Sequence, residues 1–402
     1  MMHIHFGAGR LGLGLVIPTF QSSEIESVLL NRAVSSSNAT GSTALGPERR
    51  NALLRDNPDR AYRLQSLDGS GSEGELVRYA AFYTYADGET GGLARRIVEG
   101  AQSAREGIVV TASVLKRENY KPVLEALDAL AGLREAGQPI GPIYLIACEN
   151  TVSAYDVMHG ADAAPPAVLR QVTPVACLVD RMCVDLEEDA TGAHATVRVR
   201  VETYLSLKLA LGPETEALRE LCAGSQVEFS RHLDVEKEIK GWLLNGTHWL
   251  IALQAFQESH GDRAMKLNEF TRASPDQRSH AIAVMDEMRE GVALLLRRKP
   301  EYADFVRDVD VDRYLAGAAS AILERFFSTE DPITRILARF QAPLSGDTAA
   351  LEAFTSRFAD RINGPIAAYE AEKGIVPPAT SRGLLSLLRL VETGTFINAS
   401  AQ

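Results

Sequence analysis

Short apolar runs alternate with helix-periodic stretches through the first half of the chain. Residues 3–6, 28–31, 76–85, 107–111 and 142–147 are each brief, apolar and followed by a turn or a helical pattern. Near-continuous apolar strands alternating with helices predict a parallel sheet buried on both faces. Residues 175–179 are a sixth strand candidate. Between 194 and 211 the period changes. Val197, Val199, Val201 and Thr203 alternate with Arg198, Arg200, Glu202 and Tyr204. Period two with one charged face predicts strands with a solvated side, appended to the main sheet. After about residue 230 the pattern is helical almost to the end, with breaks at Pro300, Pro332, Pro343, Pro365 and the pair Pro377 and Pro378. The expected division is an α/β domain over residues 1–230 and an all-α domain over 231–402, with no internal repeat.

A length of 402 residues agrees with two to three domains. Hydrophobic residues at 46% and charged residues at 24% exclude wholesale disorder. No run approaches the roughly 18 apolar residues a membrane span needs. The opening MMHIHFGAGRLG reads as a buried strand and lacks the basic and long apolar regions of a signal peptide. The net charge of −11 is spread along the chain, which argues against a general nucleic-acid role. Cys148, Cys177, Cys183 and Cys222 form no CxxC and lie in apolar settings. They are expected to be reduced core thiols of a cytoplasmic protein, with no metal site. Nothing calls for an obligate protein partner, so the expected partner is a small-molecule substrate.

Two polar segments interrupt the pattern. Residues 33–46 (AVSSSNATGSTALG) lie between the second strand and a helix expected to start near Pro47. Residues 68–75 (DGSGSEGE) precede the third strand. Both read as loops, the second as a solvated surface loop. The first lies where a cofactor loop would lie.

Gly7, Gly9 and Gly12 make G-x-G-x-x-G directly after an apolar strand, with a helix after it and a second strand ending about twenty residues on. In such a turn the first glycine permits a tight bend. The second leaves room for backbone to approach a pyrophosphate, and the third lets helix and strand pack closely. The helix N-terminus then faces the phosphates with unpaired N–H groups. This context predicts a Rossmann-type, doubly wound, dinucleotide-binding domain, with Thr111 at the end of a neighbouring strand among the cofactor-binding residues. NAD sites usually place Asp or Glu at the end of the second strand. Here Asn31 and Arg32 stand there, and residues 31–63 hold six arginines against three acids. A neutral amide does not repel a 2′-phosphate, and a guanidinium can grip one. NADP is therefore expected slightly ahead of NAD.

The segment 236–257 reads EKEIKGWLLNGTHWLIALQAFQ. At 100° per residue from Lys240, Asn245 falls near about 140° and His248 near about 80°, while Trp242 and Trp249 lie near about 200° and 180°. One face is polar and the other aromatic. The polar face alone could be a solvated surface. Gly246 in mid-helix costs about 1 kcal/mol relative to alanine, which points to a close approach. Alcohol oxidation needs a proton acceptor, and a lysine of lowered pKa can serve. An asparagine amide can donate to the developing oxygen charge, and a histidine can bind a neighbouring hydroxyl.

HFGAGRLGLG at the N-terminus, ACEN at 147–150, VDRM at 179–182, VETY at 201–204 and K-x4-N-x2-H at 240–248 occur in this order. Together they resemble the polyol-specific long-chain dehydrogenases, the group of mannitol-1-phosphate 5-dehydrogenase, mannitol 2-dehydrogenase and the hexuronate reductases. The resemblance runs from residue 2 to about 255. It implies an NAD(P)-dependent dehydrogenase acting on CH–OH groups, with no metal. It implies that Lys240 is the general acid/base, that Asn150 and Asn245 polarise the reacting oxygen, and that His248 positions substrate. Asp180 and Arg181 match the family's VDR segment at the substrate cleft. NAD-using members tend to carry aspartate where Asn31 stands, and the 33–46 insertion has no counterpart. Arg325 and Arg335 are loose candidates for substrate contacts. Glu202 and Ser206 read better as ordinary strand residues. Two other readings stay open: a same-fold reductase of an unrelated hydroxy or keto acid, and a non-catalytic dinucleotide sensor. A sensor would not need the lysine.

Overall fold

The computed structural model describes residues 1–33, 45–67, 74–150, 152–160, 164–260, 262, 264–333, 335–336 and 348–393. Most of the 33–46 and 68–75 segments lies outside the described residues. Contacts divide the chain into two units, Met1–Leu233 and Asp234–Gln402.

The first unit is built on a six-stranded sheet. Its strands are β1 (Met2–Phe6), β2 (Glu26–Arg32), β5 (Ala81–Tyr85), β6 (Ile108–Ala112), β7 (Ile143–Ala147) and β8 (Val172–Val175), in spatial order β5-β2-β1-β6-β7-β8. Every pair is parallel. This is the doubly wound order, which reverses between β1 and β6. β1, β6 and β7 are buried at every position, as their unbroken apolar runs require. Helices such as Lys121–Glu135 pack Val123, Leu127 and Leu130 onto one face.

The remaining strands are β3 (Ala61–Ser66), β4 (Glu75–Arg78), β9 (Cys177–Asp180), β10 (Cys183–Asp189), β11 (Thr196–Val201), β12 (Ser206–Ala210) and β13 (Val227–Ser230). They form two further sheets, β10-β11-β3-β4 and β13-β12-β9. Three expectations are corrected here. Residues 76–85 are two strands, because the chain leaves one sheet and enters another at Tyr79 and Ala80, whose N–H groups bond Arg60 and Ser27 carbonyls. Residues 175–179 likewise split at Ala176 between β8 and β9. The strands of 194–211 are not appended to the main sheet. Their alternation is as expected only along β11, where Val197, Val199 and Val201 are buried while Arg198 pairs with Asp189 and Arg200 with Asp185. Past the strand end Glu202 is buried and Thr203 exposed, the reverse of the expected faces. β11 pairs in parallel with β3 in the four-stranded sheet, while β12 pairs with β13 and β9 in the three-stranded one.

The second unit is helical. Its described helices include Leu233–Lys240, Thr247–Glu258, Pro275–Arg298, Val311–Ser328, Thr348–Lys373 and Pro378–Thr393. Pro275 sits in the first turn behind Ser274, whose hydroxyl accepts from the Gln277 N–H. Leu243, Ile251, Leu253, Met285, Val292 and Leu315 centre its core. Gly291 lets two helices meet, since a Cβ there would lie 2.3 Å from the Pro365 carbonyl oxygen. Among the described residues, no helix is long and apolar enough to cross a membrane. None of the four cysteines is in a disulfide, and three of them are buried. No group of three His, Cys, Asp or Glu suited to a metal occurs among the described residues.

Candidate functional site

The glycine turn leaves the carboxyl end of β1, at the point where the strand order reverses. In open α/β sheets ligands bind in the crevice outside this edge. Gly7 has φ +108° and a Cβ there would lie 2.6 Å from the Ser113 carbonyl oxygen, so both conformation and space demand glycine. Gly12 is equally constrained. Its missing Cβ would be 2.2 Å from the Gly7 oxygen and 2.3 Å from His5 Nε2. Gly9 differs: among the described residues no atom lies within 4 Å of its would-be Cβ. Open space over the middle glycine is what a pyrophosphate would use. Gly12–Val16 is a π-helical turn that continues as the helix Ile17–Thr19. Such turns are frequent at functional sites.

The Gly7–Ala8 peptide is held at both polar ends by side chains. His5 Nε2 lies 2.9 Å from the Gly7 oxygen. The Ala8 N–H donates to Asn31 Oδ1 at 3.1 Å. Asn31 Nδ2 in turn donates to Asn51 Oδ1 at 2.7 Å, and Asn51 Nδ2 to the Arg32 oxygen at 3.1 Å. Asn31 is thus a strut between the turn and the helix Pro47–Asp56, as well as occupying the place of the usual acid. Arg32 is half-exposed and pairs with Asp87 at 2.8 Å. A further cation, which sequence reasoning missed, is Arg50 on the same helix turn as Asn51. Its Nε is buried with no hydrogen-bond partner among the described residues, and burial lowers its pKa. The signal for it was the local excess of arginine.

Thr111 does not reach the crevice with its hydroxyl. It is fully buried, with Oγ1 2.8 Å from His3 Nε2 and 2.7 Å from His5 Nδ1. The hydroxyl nearest the turn belongs to Ser113, 3.2 Å from His5 Nε2. Asn150 is exposed beyond the carboxyl end of β7, on the same edge of the sheet. Beside it, Glu149 accepts from the Leu115 N–H at 2.6 Å, and burial raises its pKa. Asp180 ends β9. Arg181 donates to the Gly14 oxygen at 2.7 Å and to the Glu202 oxygen at 3.0 Å. Its guanidinium therefore braces the helix behind the glycine turn. Glu202 and Ser206 are engaged locally, by the Met182 N–H and by Glu228.

The second unit carries the other cluster. Lys240 ends the helix Leu233–Lys240, a π-helical turn spans Gly241–Gly246, and His248 lies in the first turn of Thr247–Glu258. A π turn winds less per residue than an α turn, so the projection at 100° per residue needs correcting. The wider turn carries Asn245 and His248 back toward the side of Lys240. All three are half-buried. Trp242 and Trp249 are buried: the first donates to the Asp360 oxygen at 3.1 Å, and the second lies under the Arg361 guanidinium at 4.5 Å. The close approach at Gly246 is made by backbone, since a Cβ would lie 2.8 Å from the Arg361 oxygen.

His248 is stacked on Phe326 with ring centroids 4.7 Å apart, and its Nε2 is 3.4 Å from Asp331 Oδ2. Burial lowers its pKa to about 4, against the pull of Asp331 and with Arg335 and Arg325 adding to the shift. It is a neutral imidazole near pH 7. Asp331 is clasped by Arg335 through both carboxylate oxygens. Arg335 and Arg325 thus gather around His248, and Asp331 joins them unforeseen. Nothing in the spacing of DPITR singled it out.

No protein-family model matches the chain, and no curated protein is similar to it in sequence. Solved structures are similar in fold. The ternary complex of Pseudomonas fluorescens mannitol 2-dehydrogenase with NAD and D-mannitol superimposes with a TM-score of 0.55 at 15% identity, covering 100% of this chain and 94% of that one. D-sorbitol dehydrogenase in its substrate-free form gives 0.54 at 11% identity, covering 98% and 94%. Across its whole length, the chain has the fold of these two polyol dehydrogenases.

Proposed function

We propose that the chain is an NAD(P)-dependent oxidoreductase that moves a hydride between the nicotinamide and a secondary alcohol or ketone. The substrate class is a sugar alcohol, its phosphate or a sugar acid. The observation that carries the reading is the glycine turn at the strand-order reversal, with its first peptide fixed at both ends and open space over Gly9. The likeness to mannitol 2-dehydrogenase over the full chain supports it. When bound, the dinucleotide supplies the hydride acceptor or donor. Lys240 takes or returns the alcohol proton, and Asn245 and Asn150 donate N–H groups to the reacting oxygen. Neutral His248 bonds a neighbouring substrate hydroxyl. Asp180 contacts substrate, and Arg181 holds the helix behind the turn. No step needs a metal. The test is energy transfer from tryptophan to bound NADPH or NADH, followed by a screen of polyols, ketoses and hexuronates. Tight dinucleotide binding with no turnover of any of these would leave the fold and remove the substrate class.

Within this reading NADPH is the tighter cofactor. Arg32 and Arg50 supply positive charge near the end of β2, and Asn31 brings no repulsion. A charge-assisted contact with the 2′-phosphate contributes about 1.5–3 kcal/mol, or roughly tenfold to a hundredfold in affinity. Arg32→Ala should erase most of the preference and barely change NADH binding. Asp87→Asn should enlarge it by releasing Arg32. Added salt should weaken NADPH more than NADH. Titration of both cofactors decides: equal or tighter NADH binding by the parent, or equal weakening of both by Arg32→Ala, sinks the assignment.

A further inference from the structure

The glycine turn rests on a buried polar chain that spans three strands. Strand register creates it. His3 on β1 stands opposite Ser27 on β2, and His5 stands opposite Thr111 on β6. The four side chains therefore share one face at the centre of the sheet. The links are Ser27 Oγ to His3 Nδ1 at 3.0 Å, His3 Nε2 to Thr111 Oγ1 at 2.8 Å, Thr111 Oγ1 to His5 Nδ1 at 2.7 Å, and His5 Nε2 to the Gly7 oxygen at 2.9 Å. Both imidazoles and the threonine are fully buried, and His3 is stacked on Phe20 at 4.2 Å.

The direction of every bond follows from one end. A carbonyl oxygen only accepts, so His5 Nε2 carries a proton. Burial holds His5 down to about 4 and His3 well below its ordinary value, so both rings are neutral near pH 7. His5 Nδ1 is then a bare acceptor, and the Thr111 hydroxyl must donate to it. That uses the only proton of the hydroxyl, so Thr111 accepts from His3 Nε2–H. His3 Nδ1 is left to accept from Ser27. The chain runs one way, from Ser27 to Gly7.

We propose that this one-way relay fixes the orientation of the Gly7–Ala8 peptide, which makes His5 and Thr111 positioning residues for the dinucleotide. The inference rests on the dinucleotide reading given above. The peptide has two polar groups. The relay holds its carbonyl inward while Asn31 holds its N–H. With both fixed, the backbone over Gly9 and the start of the helix is aimed before any ligand arrives, so binding carries less ordering cost. Gly12 belongs to the same device. The space its Cβ would take is occupied by His5 Nε2 and the Gly7 oxygen, at 2.3 and 2.2 Å. Thr111 thus serves the cofactor from beneath the crevice, without touching it.

Thr111→Val keeps the shape and removes the hydroxyl. His5 loses the donor that locks its tautomer, and the Gly7 carbonyl is left with the longer contact from the Ser113 hydroxyl, at 3.4 Å, as its one assured side-chain donor among the described residues. NADPH and NADH should both bind about tenfold more weakly, as loss of one buried hydrogen bond implies. The ratio of the two affinities should not change, because the pyrophosphate is common to both. Thr111→Ser restores the hydroxyl and should recover parental affinity. The titrations are made well below the unfolding transition, where a merely structural role would leave affinity unmoved. On the parent protein, imidazole nitrogen NMR should show His3 and His5 both as Nε2–H tautomers. That measurement stands whether or not a variant folds. An Nδ1–H tautomer on His5, parental affinity in Thr111→Val, or a serine variant as weak as valine overturns the relay. A parent that binds neither dinucleotide overturns the dinucleotide reading and the positioning role with it.

Discussion

Lys240→Ala is expected to lower turnover by about 10²–10⁴-fold, the usual worth of a general acid or base, while dinucleotide affinity stays within a few-fold. The lysine ends one helix just before a π-helical turn that also carries Asn245, with His248 in the turn after it. Three donors of different kinds on neighbouring turns fit an oxygen that must lose a proton as hydride leaves its carbon. Lys240→Arg should be nearly as inactive as alanine. A guanidinium keeps the charge and does not give up its proton in this pH range. Lys237→Ala is the control. Lys237 lies on the same helix and pairs at 3.5 Å with highly exposed Asp234, so its removal should leave turnover near parental. More than a tenth of parental activity at neutral pH in Lys240→Ala would take lysine out of the mechanism.

The main sheet was legible because its strands are buried on both faces. Unbroken apolar runs such as IVVTA and IYLIA have one economical placement, in a parallel sheet covered by helices. The two smaller sheets were not. β3 reads AYRLQS and β10 reads CVDLEED, mixed sequences whose strand character depends on partners far along the chain. β11 pairs in parallel with β3, more than a hundred positions earlier, and no local pattern announces such a partner. The alternation of Val197, Val199 and Val201 revealed a half-buried strand but carried no address for it.

The site divides in the same way. Residues whose role depends on backbone space were readable, because glycine spacing reports directly on it. Gly7 and Gly12 are where the turn is tightest. Tertiary contacts of the site residues were not readable. Thr111 lies under the crevice, Arg181 is a brace, and Arg32 already has Asp87 as a partner. His3 and His5 read as strand residues, since period two alone cannot distinguish a buried imidazole with two partners from any other core side chain. The helical wheel for 240–248 assumed an α-helix throughout. The π turn at Gly241–Gly246 alters the angles, and Gly246 within it packs against the Arg361 backbone, a contact no local pattern announces.

The glycine turn itself gives the sharpest contrast between two substitutions three residues apart. Gly9→Val should fold as well as the parent and lose about a hundredfold or more in affinity for both NADPH and NADH. Gly9 does not have a positive φ, so valine is free to take its backbone conformation. Among the described residues nothing lies within 4 Å of its would-be Cβ, so the fold meets no clash. The branched side chain instead fills the space above the turn where the pyrophosphate would approach. Loss of one or two charge-assisted hydrogen bonds at about 1.5–3 kcal/mol each gives the expected factor. Gly12→Ala should instead destabilise the fold, whatever it does to binding. Its Cβ would collide with the Gly7 oxygen and His5 Nε2, both held in place, so the turn itself must move. Overpacking of this kind costs about 1–3 kcal/mol, which for a unit of this size lowers Tm by roughly 2–4 °C per kcal/mol. Thermal melts and dinucleotide titrations on the two variants separate the effects. A destabilised Gly9→Val, or one that binds both dinucleotides as tightly as the parent, would show that the open space over this glycine is not the cofactor's.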